Sequence, residues 1–229
     1  MRRWILIFYD AKQPGPNPTT VRLFVLERGG LSFDVETIDL AALENRRRPY
    51  LENVNARGEL PALRLDDGRV ITEITAICGY FDEIAQGGRH LCGNSPVERA
   101  EVHMWTRRMY LEIISHFVAW FRGSDIAVEA YRGNRILQLE AMHSNRLIAE
   151  RGLNMLDDEM AEKAFIAGEN LSMADIILYG FMAAAGPETP WLNVPQRPSV
   201  GGWYDRMSAR PAAKQMLKPF GSRVELAAQ

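Results

Sequence analysis

The alternation of apolar and polar positions changes character part-way along the chain. Residues 4–9 (WILIFY) are apolar enough to form a strand lying centrally in a sheet. Residues 10–20 are rich in proline and glycine and read as a loop, with Thr19 or Thr20 placed to cap the next helix. The pattern VRLFVLER over residues 21–28 fits a helix packed on one side and closed by Gly29 and Gly30. A second strand is predicted over 33–38, then a loop and short helix over 40–55. Leu63 and Leu65 alternate with polar neighbours as a third strand, Asp66, Asp67 and Gly68 make a tight reversal, and Arg69, Val70 and Ile71 begin the return strand. Thr72 and Glu73 then lead into a helix carrying Ile77, Tyr80 and Phe81.

Gly87, Gly88, Gly93 and Pro96 mark the best boundary in the chain. Beyond it the period is helical and no strand is predicted. One long helix is expected over 97–122, with Ala100, Met104, Met109, Ile113 and Phe117 at apolar positions, then a connector over 124–132. A second long helix is expected over 133–160, carrying Ile136, Leu139, Leu147 and Leu156. Residues 172–185 are hydrophobic nearly all round, as a helix at the centre of a bundle must be. Ser172 stands three residues before Asp175, a relative of the capping box in which each side chain satisfies an orphan N–H; this pair is structural. After a loop over 187–198, a further helix over 199–210 carries Trp203 and Met207, and the tail from Phe220 either folds back over a cleft or frays.

Composition narrows the functional classes. A formal charge of -2 in 229 residues argues against a nucleic-acid binder held by phosphate contacts. Arg46, Arg47 and Arg48 form the densest basic cluster, read first as an exposed loop. Two cysteines, Cys78 and Cys92, make neither a disulfide framework nor a metal-ligand spacing, and none of the four histidines sits in a ligand pair such as H-E-x-x-H. No metal site is expected. The N-terminal apolar run ends at Asp10, too short for a secretory segment or a membrane span, so a cytoplasmic protein without a membrane partner is expected.

Leu60–Pro61, the DDG reversal at 66–68, TEITAIC over 72–78 and SMADI over 172–176 occur in one order and spacing, and in this the chain resembles the cytosolic glutathione transferase family, bacterial type. The resemblance covers most of the chain. It implies an α/β plus all-α protein: a thioredoxin-like glutathione-binding domain over 1–85, a linker over 86–95, and an all-helical bundle over 96–229 that forms the pocket for the electrophile. It implies a transferase of detoxification type acting on glutathione and a small hydrophobic, aromatic electrophile, and a homodimer. The alternatives are a non-catalytic glutathione-binding protein of the same fold and a glutathione-dependent lyase or isomerase. A disulfide-exchange enzyme is disfavoured, because no cysteine occupies the first-helix loop.

The family's chemistry needs the glutathione thiolate. A thiol of pKa about 8.5 is only a few per cent ionised at neutral pH, and lowering that value by about two units takes about 2.7 kcal/mol of stabilisation of the anion. A donor at the start of the first helix, where backbone N–H groups add positive potential, supplies this. The corresponding loop, QPGPNPTT, holds neither serine nor cysteine. Alignment with members that use a cysteine puts Asn17 at that position; alignment with those that use a serine falls nearer Gly15. Asn17 is the first candidate for thiolate donor, with Thr19 or its backbone, then Tyr9, behind it. An Asx turn before Pro18 would also account for Asn17. The resemblance further assigns Glu73 to the glutamyl ammonium, the N–H of Ile74 or Thr75 to the glutamyl carboxylate, and Glu59, Leu60 and Pro61 to the peptide backbone, which adds to the sheet edge as a short strand. Arg47, with Arg46 and Tyr50 as alternatives, is assigned to the glycyl carboxylate. Gly15, Trp105, Arg108, Met109 and Glu112 are expected around the electrophile.

Overall fold

A computed structural model describes residues 6–131, 133, 135–185 and 189–228. Trp4 of the first expected strand, Arg132 at the end of the expected connector and Pro187 at the start of the expected loop lie outside them. Five strands, β1 (Ile7–Ala11), β2 (Ser32–Ile38), β3 (Ala62–Arg64), β4 (Val70–Thr72) and β5 (Arg223–Glu225), form one sheet in the order β4-β3-β1-β2-β5. Only β1 and β2 are parallel, with Phe8 opposite Val35; a parallel pair needs a crossover, here α1 (Pro16–Arg28). Two further helices, α2 (Arg48–Asn53) and α3 (Ile74–Ile84), complete the thioredoxin-like half. The period of two splits β1 between the faces of the sheet. Phe8 joins Phe33 and Phe81 beneath α1 and α3, with Phe33 and Phe81 stacked at 4.8 Å, while Tyr9 meets Tyr50, Ile38 and Leu60 on the other face.

Helix α1 begins five residues earlier than the sequence pattern predicts. Pro16 and Pro18 read as loop residues, yet proline is compatible with the first helical turn, where its missing N–H has no intrahelical acceptor. Gly15 is the N-cap, and its carbonyl accepts from the Thr19 N–H at 3.1 Å.

The helical half contains α4 (Pro96–Arg108), a π-helical turn (Met109–Ile114), α5 (Ser115–Phe121), α6 (Asp125–Tyr131), α7 (Met142–Glu159), α8 (Met173–Ala184), α9 (Pro198–Ala209) and α10 (Pro211–Gln215). Met109, Ile113 and Phe117 are buried as expected, but Ala100 and Met104 face outward. The expected connector contains α6, which starts directly after Ser124, a residue type suited to an N-cap. The second long helix starts nine residues later than expected; Ile136 is 86% exposed and Leu139 58%, so isolated apolar residues ahead of α7 do not extend its stripe.

Helix α8 is buried over Met173 to Met182 and lies against α1. The approach is close because Gly180 has no side chain: a Cβ there would stand 2.2 Å from Thr20 Oγ1. Buried ion pairs fix α1 from the other sides. Arg22 meets Asp10 at 2.9 Å, and Arg28 meets Asp82 at 2.7 Å, with Asp82 also accepting the Leu91 and Cys92 N–H groups of the stretch between α3 and α4. The tail neither covers the cleft nor frays. Phe220 packs edge-on against Phe8 and Phe33, and β5 pairs antiparallel with β2, so a strand closes a region read as wholly helical. Three residues are too few for a period of two to be visible in the sequence.

Candidate functional site

A cleft of about 620 Å³ opens between the sheet half and the helices, walled by the α1 N-terminus, the 58–61 loop, the β4–α3 junction and the face of the π turn and α5. Of the residues singled out in the sequence, Gly15, Asn17, Glu59, Leu60, Pro61, Glu73 and Ile74 line it.

The α1 end is unusual in its donors. A helix leaves its first N–H groups without intrahelical acceptors. In this helix the first three positions are Pro16, Asn17 and Pro18, and Thr19 already donates to Gly15. Of the first three helical positions only Asn17 therefore carries a backbone N–H, and it has no acceptor among the described residues. Its side-chain amide is exposed and has no hydrogen-bond partner among the described residues, so no Asx turn ties it down. One residue thus presents two N–H donors at the positive end of a helix. Thr19 is fully buried behind this wall, its Oγ1 without a partner and outside the cleft. Tyr9 lies on the opposite face of the sheet, packed on Tyr50, and burial raises its pKa.

Glu73 occupies the junction between β4 and α3 with φ 73° and ψ 127°, a backbone conformation that costs a non-glycine residue on the order of 1–3 kcal/mol. It is the N-cap of α3 by position, but its side chain makes no capping bond and is exposed at the cleft. The Leu60–Pro61 peptide is cis. The preceding loop is braced from below: Asn45 Nδ2 donates to the Gly58 carbonyl at 2.6 Å, and Tyr50 Oη and Asn55 Nδ2 donate to the Glu59 carbonyl at 2.8 and 3.0 Å. Tyr50 thus holds the loop instead of facing a ligand, and burial raises its pKa. Arg47 points away, donating to the Ala42 carbonyl; its neighbour Arg46 lines the cleft instead. Burial and the nearby Arg135 lower the Arg46 pKa, and Arg135 pairs with Glu59 at 2.9 Å across the cleft.

Trp105, Arg108, Met109 and Glu112 do not line the cleft. Met109 is buried in the bundle, Arg108 lies over the Trp105 ring at 5.1 Å and pairs with Glu159 at 3.7 Å, and Glu112 faces outward, its carbonyl close to Gly152 of α7. The side chains that do line it are Tyr110, Phe117, Val118, Phe121, Arg122, Tyr131 and Arg135. The π turn explains the shift. Its wider bonding inserts one extra residue and rotates the face beyond it by about 100° relative to α4. Phe117 and Phe121, spaced by four beyond the π turn, are the signal the sequence offers for this wall. Neither cysteine lines the cleft; burial raises the Cys78 pKa, and burial with Asp82 beside it pushes that of Cys92 up to about 12. Among the described residues no cluster of three acidic, histidine or cysteine side chains could hold a metal ion, and no helix is long and apolar enough to cross a membrane.

Comparison with known proteins identifies the family. Residues 15–84 match the profile of the glutathione S-transferase N-terminal domain, and residues 127–211 that of the C-terminal domain. Glutathione S-transferase 2 of Saccharomyces cerevisiae is 33% identical over 220 residues, covering 93% of this chain and 90% of that protein. The crystal structure of Gtt2 from the same yeast superposes with a TM-score of 0.78 at 30% identity, covering 92% of this chain and 100% of the other. LigF of Sphingobium, described in its crystal structure as a β-etherase, is 26% identical over 89% of this chain and 91% of its own length. The chain belongs to the cytosolic glutathione transferase family and is a glutathione transferase.

Proposed function

We propose that glutathione lies along the Leu60 backbone with its amino end at Glu73 and its sulfur at Asn17, and that its thiolate attacks a small aromatic electrophile resting on Tyr110, Phe117 and Phe121. The observation that carries this reading is the α1 N-terminus, where two prolines leave Asn17 as the source of free donors beside the cleft. Asparagine cannot act as a base, so the role given to it is to hold the thiolate, not to remove its proton. The Ile74 and Thr75 N–H groups receive the glutamyl carboxylate at the start of α3, and Arg46 the glycyl one. Ether cleavage of the kind named for LigF would use the same thiolate and differ only in the second compartment. The free thiols of Cys78 and Cys92 fit a reducing, cytoplasmic setting, and the exposed apolar side chains Met104, Leu111, Leu147 and Met155 of the helical half fit burial between two copies of the chain.

Replacing Asn17 by alanine removes one charge-assisted hydrogen bond, about 1.5–3 kcal/mol. The expected result is a fall of about tenfold to a hundredfold in kcat/KM with chlorodinitrobenzene, with glutathione affinity changed no more than about threefold. Asn17→Ser should recover part of the rate. An unchanged rate in Asn17→Ala, measured by stopped-flow or steady-state absorbance, would remove Asn17 from the chemistry.

A further inference from the structure

Among the described residues three arginines line the cleft, Arg46, Arg122 and Arg135, and they differ in what answers them. Arg46 and Arg135 belong together: Arg135 is paired with Glu59, and all three sit near the 58–61 loop that the proposed binding mode gives to glutathione. Arg122 is separate. It ends the helical stretch that supplies Phe117, Val118 and Phe121, one turn beyond Val118 on the same face, and it lines the cleft with them. Its Nε is buried and has no hydrogen-bond partner, and among the described residues no carboxylate lies within ion-pair distance of its guanidinium. Arg108 on the same helical run is answered by Glu159. Arg122 is half-buried: its Nε is shielded, while its two terminal nitrogens are not among the buried atoms and can meet an anion in the cleft. Its planar fork matches a carboxylate or sulfonate with two parallel bonds and also stacks on aromatic faces.

Resting on the transferase reading, the geometry points to an electrophile that bears a fixed negative charge, a carboxylate or sulfonate on an aromatic body, with Arg122 as the residue that selects it. The ring lies on Tyr110, Phe117 and Phe121, and the acid group turns toward Arg122. In the proposed binding mode Arg46 and the Ile74 and Thr75 N–H groups meet glutathione's carboxylates, which leaves Arg122 for the acid group of the electrophile.

The test compares a chlorodinitrobenzoate with its uncharged methyl ester in the wild type, Arg122→Gln and Arg122→Lys. In Arg122→Gln, kcat/KM for the acid should fall at least tenfold, chiefly through KM, while the ester changes less than twofold; that unchanged ester rate also reports an intact fold. Arg122→Lys, which keeps the charge, should retain most of the acid rate. Equal changes for acid and ester, or none for either, would overturn the assignment. Should the wild type turn over neither probe, the transferase reading fails on this acceptor class. Tryptophan quenching by unreactive dinitrobenzoate and its methyl ester then decides the inference alone. At least tenfold tighter binding of the acid, abolished in Arg122→Gln, supports it; equal binding of the two overturns it.

Discussion

Asp175→Ala is expected to lower the unfolding free energy by about 3–5 kcal/mol, more than the loss of an ordinary helix cap. The carboxylate serves four buried donors at once. Oδ2 accepts from the Ser172 N–H at 2.9 Å and the Ser172 hydroxyl at 2.8 Å; Oδ1 accepts from the Ile166 N–H at 2.8 Å and Trp203 Nε1 at 2.9 Å. Removing it leaves these donors inside the protein with nothing to bond, each at about 1–3 kcal/mol before relaxation. For a chain of this size the corresponding shift in Tm is about 10 °C. Asp175→Asn should fall between the two, because one oxygen survives and the new NH2 group faces a donor. Differential scanning calorimetry checks this, and a Tm unchanged within about 1 °C in Asp175→Ala would refute the network.

The second large effect is expected at Glu73, and it has two opposite parts. Glu73→Gln keeps shape and backbone while removing the charge that is to meet an ammonium. Loss of a charge pair in a partly enclosed site is worth about 2–3 kcal/mol, a weakening of glutathione binding by about thirtyfold to a hundredfold. Glu73→Gly should weaken binding at least as much, yet raise stability by about 1 kcal/mol, since glycine adopts φ 73° without the steric penalty glutamate carries. Calorimetric titration and thermal unfolding on the same samples separate the parts. Unchanged affinity in Glu73→Gln would remove its role in binding; lower stability in Glu73→Gly would show that the side chain holds the junction together.

Local chemistry makes part of this legible in the sequence. Asp66-Asp67-Gly68 and the Ser172–Asp175 spacing are interactions among near neighbours, and the structure has a turn and a capping box at those places. The start of α1 is hidden because Pro16 and Pro18 serve equally in a loop and in a first helical turn. The cleft-facing side of α5 is hidden for a different reason. Phase along a helix is counted at 3.6 residues per turn, and the π turn at 109–114 breaks the count between Trp105 and Phe117. Arg46 and Arg47 are alike in charge, and which of two adjacent side chains turns into a cleft on so short a segment is not written in the sequence. β5 is invisible because its strand exists only by pairing with β2, near the other end of the chain.

The account centres on a thiolate held by the donors of Asn17, and the ultraviolet absorbance of the glutathione thiolate in the binary complex, followed against pH, reads it directly. The expected result is an apparent pKa about two units below that of the free thiol, so that the bound tripeptide is largely ionised at neutral pH, with much of the shift lost in Asn17→Ala. Bound glutathione that titrates together with the free thiol would contradict it.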